Sequence, residues 1–166
     1  SKGYAQETDR YIGPVRRLFK VDQIAIKGVR KIEPEAILEK IKIKPGKVAT
    51  NYTIRDDIKR IYRMKYFENV EVLKEVKKGK NVLVFKVAEK PIVRKIRIEG
   101  NNEESDDDIF EQIKTKQYSI IDVNTLKSDS ANIQKFYEEK GYFLARVNYE
   151  IQKIDKENLE VIFRIR

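Results

Sequence analysis

Residues 24–44 of this chain recur without a gap as residues 96–116, 72 positions further on. In that overlay Ile24, Ile26, Gly28, Ile37, Glu39, Ile41, Lys42 and Lys44 meet the identical residues Ile96, Ile98, Gly100, Ile109, Glu111, Ile113, Lys114 and Lys116. A repeat of this kind constrains the fold strongly, because one supersecondary unit has to be built twice. Beyond it the pattern continues while the register drifts. Tyr62, Tyr66 and Phe67 answer Tyr137, Tyr142 and Phe143; Val70 and Val72 answer Ala145 and Val147; Leu83, Phe85 and Val87 answer Val161, Phe163 and Ile165.

Within 166 residues the repeat leaves two domains of about 75 residues each, near the lower limit for an independent core. Apolar residues make up 40% of the chain and charged residues 38%, so each element can spare only one face for the interior. There is no Cys and no His. The first absence excludes disulfides and thiol chemistry in either redox compartment, and the second removes the commonest general base and transition-metal ligand. Together they point away from an enzyme and from a transition-metal site. No apolar run reaches the roughly 18 residues of a membrane-spanning helix, and no signal segment opens the chain, so a soluble or processed portion of a protein is expected. The net charge of +9 is unevenly placed: residues 1–90 carry 23 basic and 12 acidic groups, residues 91–166 carry 13 and 15. A basic first half suits phospholipid headgroups, nucleic acid or an acidic protein, and equally a solubilising lysine-rich surface.

Each unit opens on a short alternating strand, residues 21–27 and 93–99, ended by Gly28 or Gly100. A helix follows. In the first copy Pro34 sits in its first turn; in the second, Ser105 and Asp108 form a capping pattern and Asp106 to Asp108 favour the positive helix end. A second helix starts near Thr53 and Leu126 and ends in an aromatic pair, Tyr66-Phe67 or Tyr142-Phe143, expected to be core. Gly141 is the expected terminator in the second copy, whereas the first has Lys65. A hairpin closes each unit, residues 69–76 with 82–87 and 146–154 with 159–165. The joint between the copies, Glu89-Lys90-Pro91, is short and stiffened by proline. Residues 1–19 fit neither copy. Gly13-Pro14 interrupts them and Tyr4, Tyr11, Leu18 and Phe19 follow no period, which predicts a mobile or partner-dependent arm before domains at 20–90 and 91–166.

This order of elements, with the Tyr66-Phe67-Glu68-Asn69-Val70-Glu71-Val72 segment, the strand and joint at residues 81–91 and the Gly141-Tyr142-Phe143 turn, resembles tandem polypeptide-transport-associated (POTRA) domains, most nearly the first two of an outer-membrane protein assembly factor. The resemblance implies an α+β fold, β-α-α-β-β in each unit, with a three-stranded mixed sheet covered on one side by two antiparallel helices. It further implies a periplasmic scaffold of a Gram-negative outer-membrane protein with a C-terminal membrane β-barrel. The partners it implies are unfolded outer-membrane proteins and accessory assembly lipoproteins, with no catalytic or cofactor site; a membrane surface is a further partner that the basic first half suits. In the family the first hairpin strand is the edge that receives extended peptides, here Val70, Glu71, Val72, Leu73, Lys74, Glu75 and Val76, and Val147, Asn148, Tyr149, Glu150 and Ile151. Two rivals stand beside this reading. A two-partner secretion transporter also carries two such domains, and a KH-type nucleic-acid module shares the element order but needs a GxxG loop, which neither inter-helix segment has.

Overall fold

The computed structural model describes Thr8–Arg10 and residues 18–166. Contacts divide the chain into two compact units, the first ending at Glu89 and the second beginning at Lys90. The first contains strands β1 (Thr8–Arg10), β2 (Phe19–Lys20) and β3 (Gln23–Lys27), helix α1 (Pro34–Lys40), strand β4 (Val48–Ala49), helix α2 (Asn51–Arg63) and the hairpin β5 (Phe67–Lys77) and β6 (Lys80–Glu89). The second contains β7 (Ile92–Glu99), α3 (Asp106–Phe110), α4 (Val123–Glu139), β8 (Val147–Lys153) and β9 (Asn158–Ile165). The strand-helix-helix-strand-strand order is therefore present twice.

In the second unit the sheet runs β7-β9-β8, with β7 parallel and β8 antiparallel to the central β9. In the first, β3 is parallel and β5 antiparallel to β6 in the same way. A fourth strand is added there: β1 lies antiparallel on the outer side of β5. The first unit also has a two-stranded ladder, β2 with β4. It corrects the expected end of the arm, because Phe19 is buried in the first core, packed with Val21, Ile43 and Ala49. The rest of the expected arm, with Tyr4, Tyr11 and Gly13-Pro14, lies outside the described residues.

Each core lies between one sheet face and the helices. Ile37, Ile41, Ile54 and Ile61 meet Val70, Val72, Leu83, Phe85 and Val87 in the first unit; Ile109, Leu126 and Ile133 meet Val161, Phe163 and Ile165 in the second. The aromatic pairs split. Phe67 is buried as the first residue of β5, but Phe143 is 72% exposed, and Tyr137 takes the interior place in the second unit. The cause is helix length: α4 is 17 residues and α2 is 13, so the aromatics after α4 fall on a loop instead of a strand. Lys65, with φ of 69°, adopts the left-handed turn that Gly141 makes at 94°, so the first copy ends its helix in comparable geometry with a residue that is less at ease there.

A pair of buried carboxylates extends the repeat beyond its obvious end. Asp57 and Asp129, also 72 residues apart, are both fully buried on the second helix. Asp57 accepts from the backbone N–H groups of Lys42 and Ile43 at 2.8 and 2.9 Å, and Asp129 accepts from those of Lys114 and Thr115 at 2.7 and 3.0 Å. Each clamps the chain leaving the first helix onto the second helix, satisfying donors that have no strand partner. Arg60 adds a 2.9 Å ion pair to Asp57, and the Thr115 hydroxyl donates to Asp129.

Candidate functional site

The outer strand of each closing hairpin carries the residues singled out as peptide-binding edges, and the ladder geometry shows which of their main-chain groups face away from the sheet. Arg146 and Arg166 exchange both backbone hydrogen bonds at 2.9 Å, so even-numbered residues of β8 bond inward to β9. Antiparallel pairs alternate, which turns the N–H and C=O groups of Val147, Tyr149, Ile151 and Lys153 outward. In the first unit the two-residue turn Lys78-Gly79, both with positive φ, is of type I′ and closes on Lys77 and Lys80. By the same alternation Val70, Val72, Lys74 and Val76 face outward.

The first outward N–H of each edge is already occupied. Val70 donates to the hydroxyl of Tyr62 at 3.0 Å, and Val147 donates to Oε1 of Gln134 at 3.1 Å. Tyr62 and Gln134 stand 72 residues apart on the second helices. This equivalence corrects the expected alignment: Val147 matches Val70, not Val72, and Tyr62 matches Gln134, not Tyr137. Sequence reasoning missed these two caps because the side chains differ; their spacing from the repeat was the available signal.

The two edges then diverge. On β5, Arg10, Asp9 and Thr8 of β1 are register partners of Leu73, Lys74 and Glu75. Glu75 is 5% exposed and pairs with Lys77 at 3.1 Å and Lys27 at 3.6 Å. The bond from Lys77 holds its carboxyl below the usual range, outweighing burial, and Lys27 adds to this. Lys74 reaches over the Phe19 ring, 5.1 Å from its centroid. On β8 no further strand pairs among the described residues. There Glu150 accepts from Arg164 at 2.8 Å, Val147 and Tyr149 pack partly against the core, Asn148 is exposed, and Ile151 is 40% exposed.

The joint residues are tied into their own units. Glu89 is buried, and its carboxylate accepts from the backbone N–H groups of Arg30, Lys31 and Ile32 at 2.7, 3.0 and 2.9 Å. Burial opposes its ionisation, but these bonds prevail and hold its carboxyl below the usual range. The Pro91 carbonyl accepts from Ile121 at 2.9 Å. Lys90 is half-buried.

A compact β-α-α-β-β unit, made twice, each with a capped edge strand, defines a class of small α+β repeat domain. The POTRA family, described as surface antigen variable number repeat, matches residues 19–90 and again 91–166, and the chain belongs to it. Among curated proteins it is similar to the outer membrane protein assembly factor BamA of Nitratidesulfovibrio vulgaris, with 27% identity over 87% of this chain, and to that of Neorickettsia risticii, with 22% over 86%. It spans 18% and 19% of those two relatives. The fold is shared with the N-terminal domain of Omp85 from Thermosynechococcus elongatus, at a TM-score of 0.69 and 17% identity, covering 91% of this chain and 63% of that one. It is shared also with CdiB from Escherichia coli, at 0.53 and 12%, covering 92% and 28%. POTRA domains of this type form the periplasmic region of outer-membrane proteins of Gram-negative bacteria, and that is the compartment of this chain.

Proposed function

We propose that this chain is a scaffold of an outer-membrane β-barrel assembly factor that holds extended segments of unfolded outer-membrane proteins by adding them as strands to β8 and β5, with accessory lipoproteins and a membrane surface as further partners. The observation that carries the reading is the outward row at Tyr149, Ile151 and Lys153, which continues past the Gln134 cap with no strand on it among the described residues. Such a row recruits extended peptide through main-chain hydrogen bonds, which are indifferent to sequence. β8 has seven residues, so a membrane β-strand of about 9–11 residues is long enough to cover it from end to end. A low affinity per edge fits a scaffold that has to release its client. The two-partner secretion alternative rests on the doubled domain; the likeness to CdiB, at 12% identity, carries the fold alone.

The test is a titration of the isotope-labelled chain with an amphipathic strand peptide of about ten residues and, separately, with a short single-stranded RNA, at low and moderate salt. Salt-resistant peptide shifts along 149–153 are expected. RNA shifts on the basic first unit with the peptide silent would overturn the reading.

A further inference from the structure

The two edges are alike in construction and unlike in occupancy. We propose that β1 is a resident strand that competes with incoming peptide for the first edge, so that this edge is gated by the chain itself while the second carries no such strand among the described residues. The proposal rests on the edge-binding reading above and adds a regulation to one of its two sites.

Three observations support it. β1 sits antiparallel on β5 at Leu73, Lys74 and Glu75, the middle of the segment a client would use. Because Lys74 faces outward, Asp9 and Lys74 form the hydrogen-bonded type of pair, the arrangement an added peptide would adopt there. The burial of the two edges also differs along their lengths. With Val70 equivalent to Val147, Glu75 corresponds to Gln152; Glu75 is 5% exposed, while Gln152 is exposed. Leu73 and Val76 are half-buried, whereas β8 is exposed throughout 151–153.

A strand of three residues is a weak occupant. It gains few main-chain bonds, each of small net value, against the entropy of ordering its segment. It therefore exchanges with solvent and leaves the edge accessible part of the time, and a client's apparent affinity falls by that fraction. A longer client strand makes more bonds on the same edge and displaces it.

The test uses the full chain and two variants. Asp9→Pro removes the N–H that faces Lys74 and weakens the occupant. Arg10→Cys with Leu73→Cys locks it: the two are register partners of the non-hydrogen-bonded type, whose Cα separation of about 4.5 Å lies within disulfide range. The chain has no other Cys. With the strand peptide as probe, Asp9→Pro is expected to tighten binding at 72–76 by about fivefold and leave 149–153 unchanged. The oxidised double variant is expected to lose binding at 72–76, regain it on reduction, and keep 149–153 throughout. Equal affinity at 72–76 in the native chain and Asp9→Pro, undiminished binding in the oxidised lock, or failure of the two cysteines to join would overturn the proposal. Those failures with 149–153 still binding remove the gate alone; silence of both edges in every protein removes the edge reading with it.

Discussion

At the scale of single residues, the repeat survives where backbone approach or a buried donor leaves no choice. Gly28 and Gly100 have φ of 94° and 84°, and a Cβ on either would lie 1.9 Å from a carbonyl oxygen, that of Val87 or Ile165. Side-chain adjustment cannot relieve a clash with the backbone of the neighbouring strand. Gly100→Ala should therefore destabilise the second unit by about 3 kcal/mol or more, the sum of left-handed strain and overpacking, read as a lowered denaturant midpoint for that unit with the first unchanged. The glycines were legible from the sequence as identical residues ending a strand. Asp57 and Asp129 were not, since an aspartate on an amphipathic helix ordinarily lies in water. Only their partners, backbone N–H groups distant in sequence, make them interior residues. Tyr62 and Gln134 were hidden for a different reason: a hydroxyl and an amide oxygen perform one task, and identity matching does not register that.

At the scale of elements, alternation and turn residues were enough to place the hairpins and the opening strands, and the helix patterns located α2 and α4 to within a few residues. The elements that escaped are the shortest. β1 has three residues, and β2 and β4 two each, too few for a period to show; only pairing defines them. The exposed position of Phe143 escaped because α4 extends past the point where α2 stops. For the open edge the element-level expectation is specific. Proline at Ile151 removes an outward N–H without touching the inward ladder to β9, so Ile151→Pro should leave the amide spectrum of the remaining core intact and weaken strand-peptide binding at 149–153 at least tenfold. Unchanged binding would show that outward main-chain groups of β8 are not the contact.

Across the whole molecule the two units differ in how they carry charge. Glu75 and Glu89, buried carboxylates held below the ordinary value of 4.5, both belong to the first unit. A carboxyl whose value is depressed in the folded state contributes stability that is complete above its ordinary value and is lost as the pH falls through the depressed one. Acid should thus begin to cost the first unit stability below about pH 4.5, the loss continuing as the pH falls through the depressed values of Glu75 and Glu89. Glu89→Gln should lower the first unit's stability at neutral pH by about 2 kcal/mol and flatten its loss in acid, as followed by unit-resolved amide signals during a pH titration. The repeat told of two units from the sequence alone. Their inequality was not visible there, because it depends on which acidic side chains end up inside.

The helix side chain that caps the first residue of each edge also has an informational consequence. Outward groups recurring at every second residue, beginning after a fixed stop, register only the parity of the segment laid against them: a shift by one residue turns the other row of side chains toward the helices. Under the edge-binding proposal, such a reader of one bit would accept any strand whose apolar and polar residues alternate and would give a poor match to one whose rhythm is broken. Membrane β-strands of unrelated sequence have that rhythm in common, so indifference to spelling and attention to beat come from the same row of atoms.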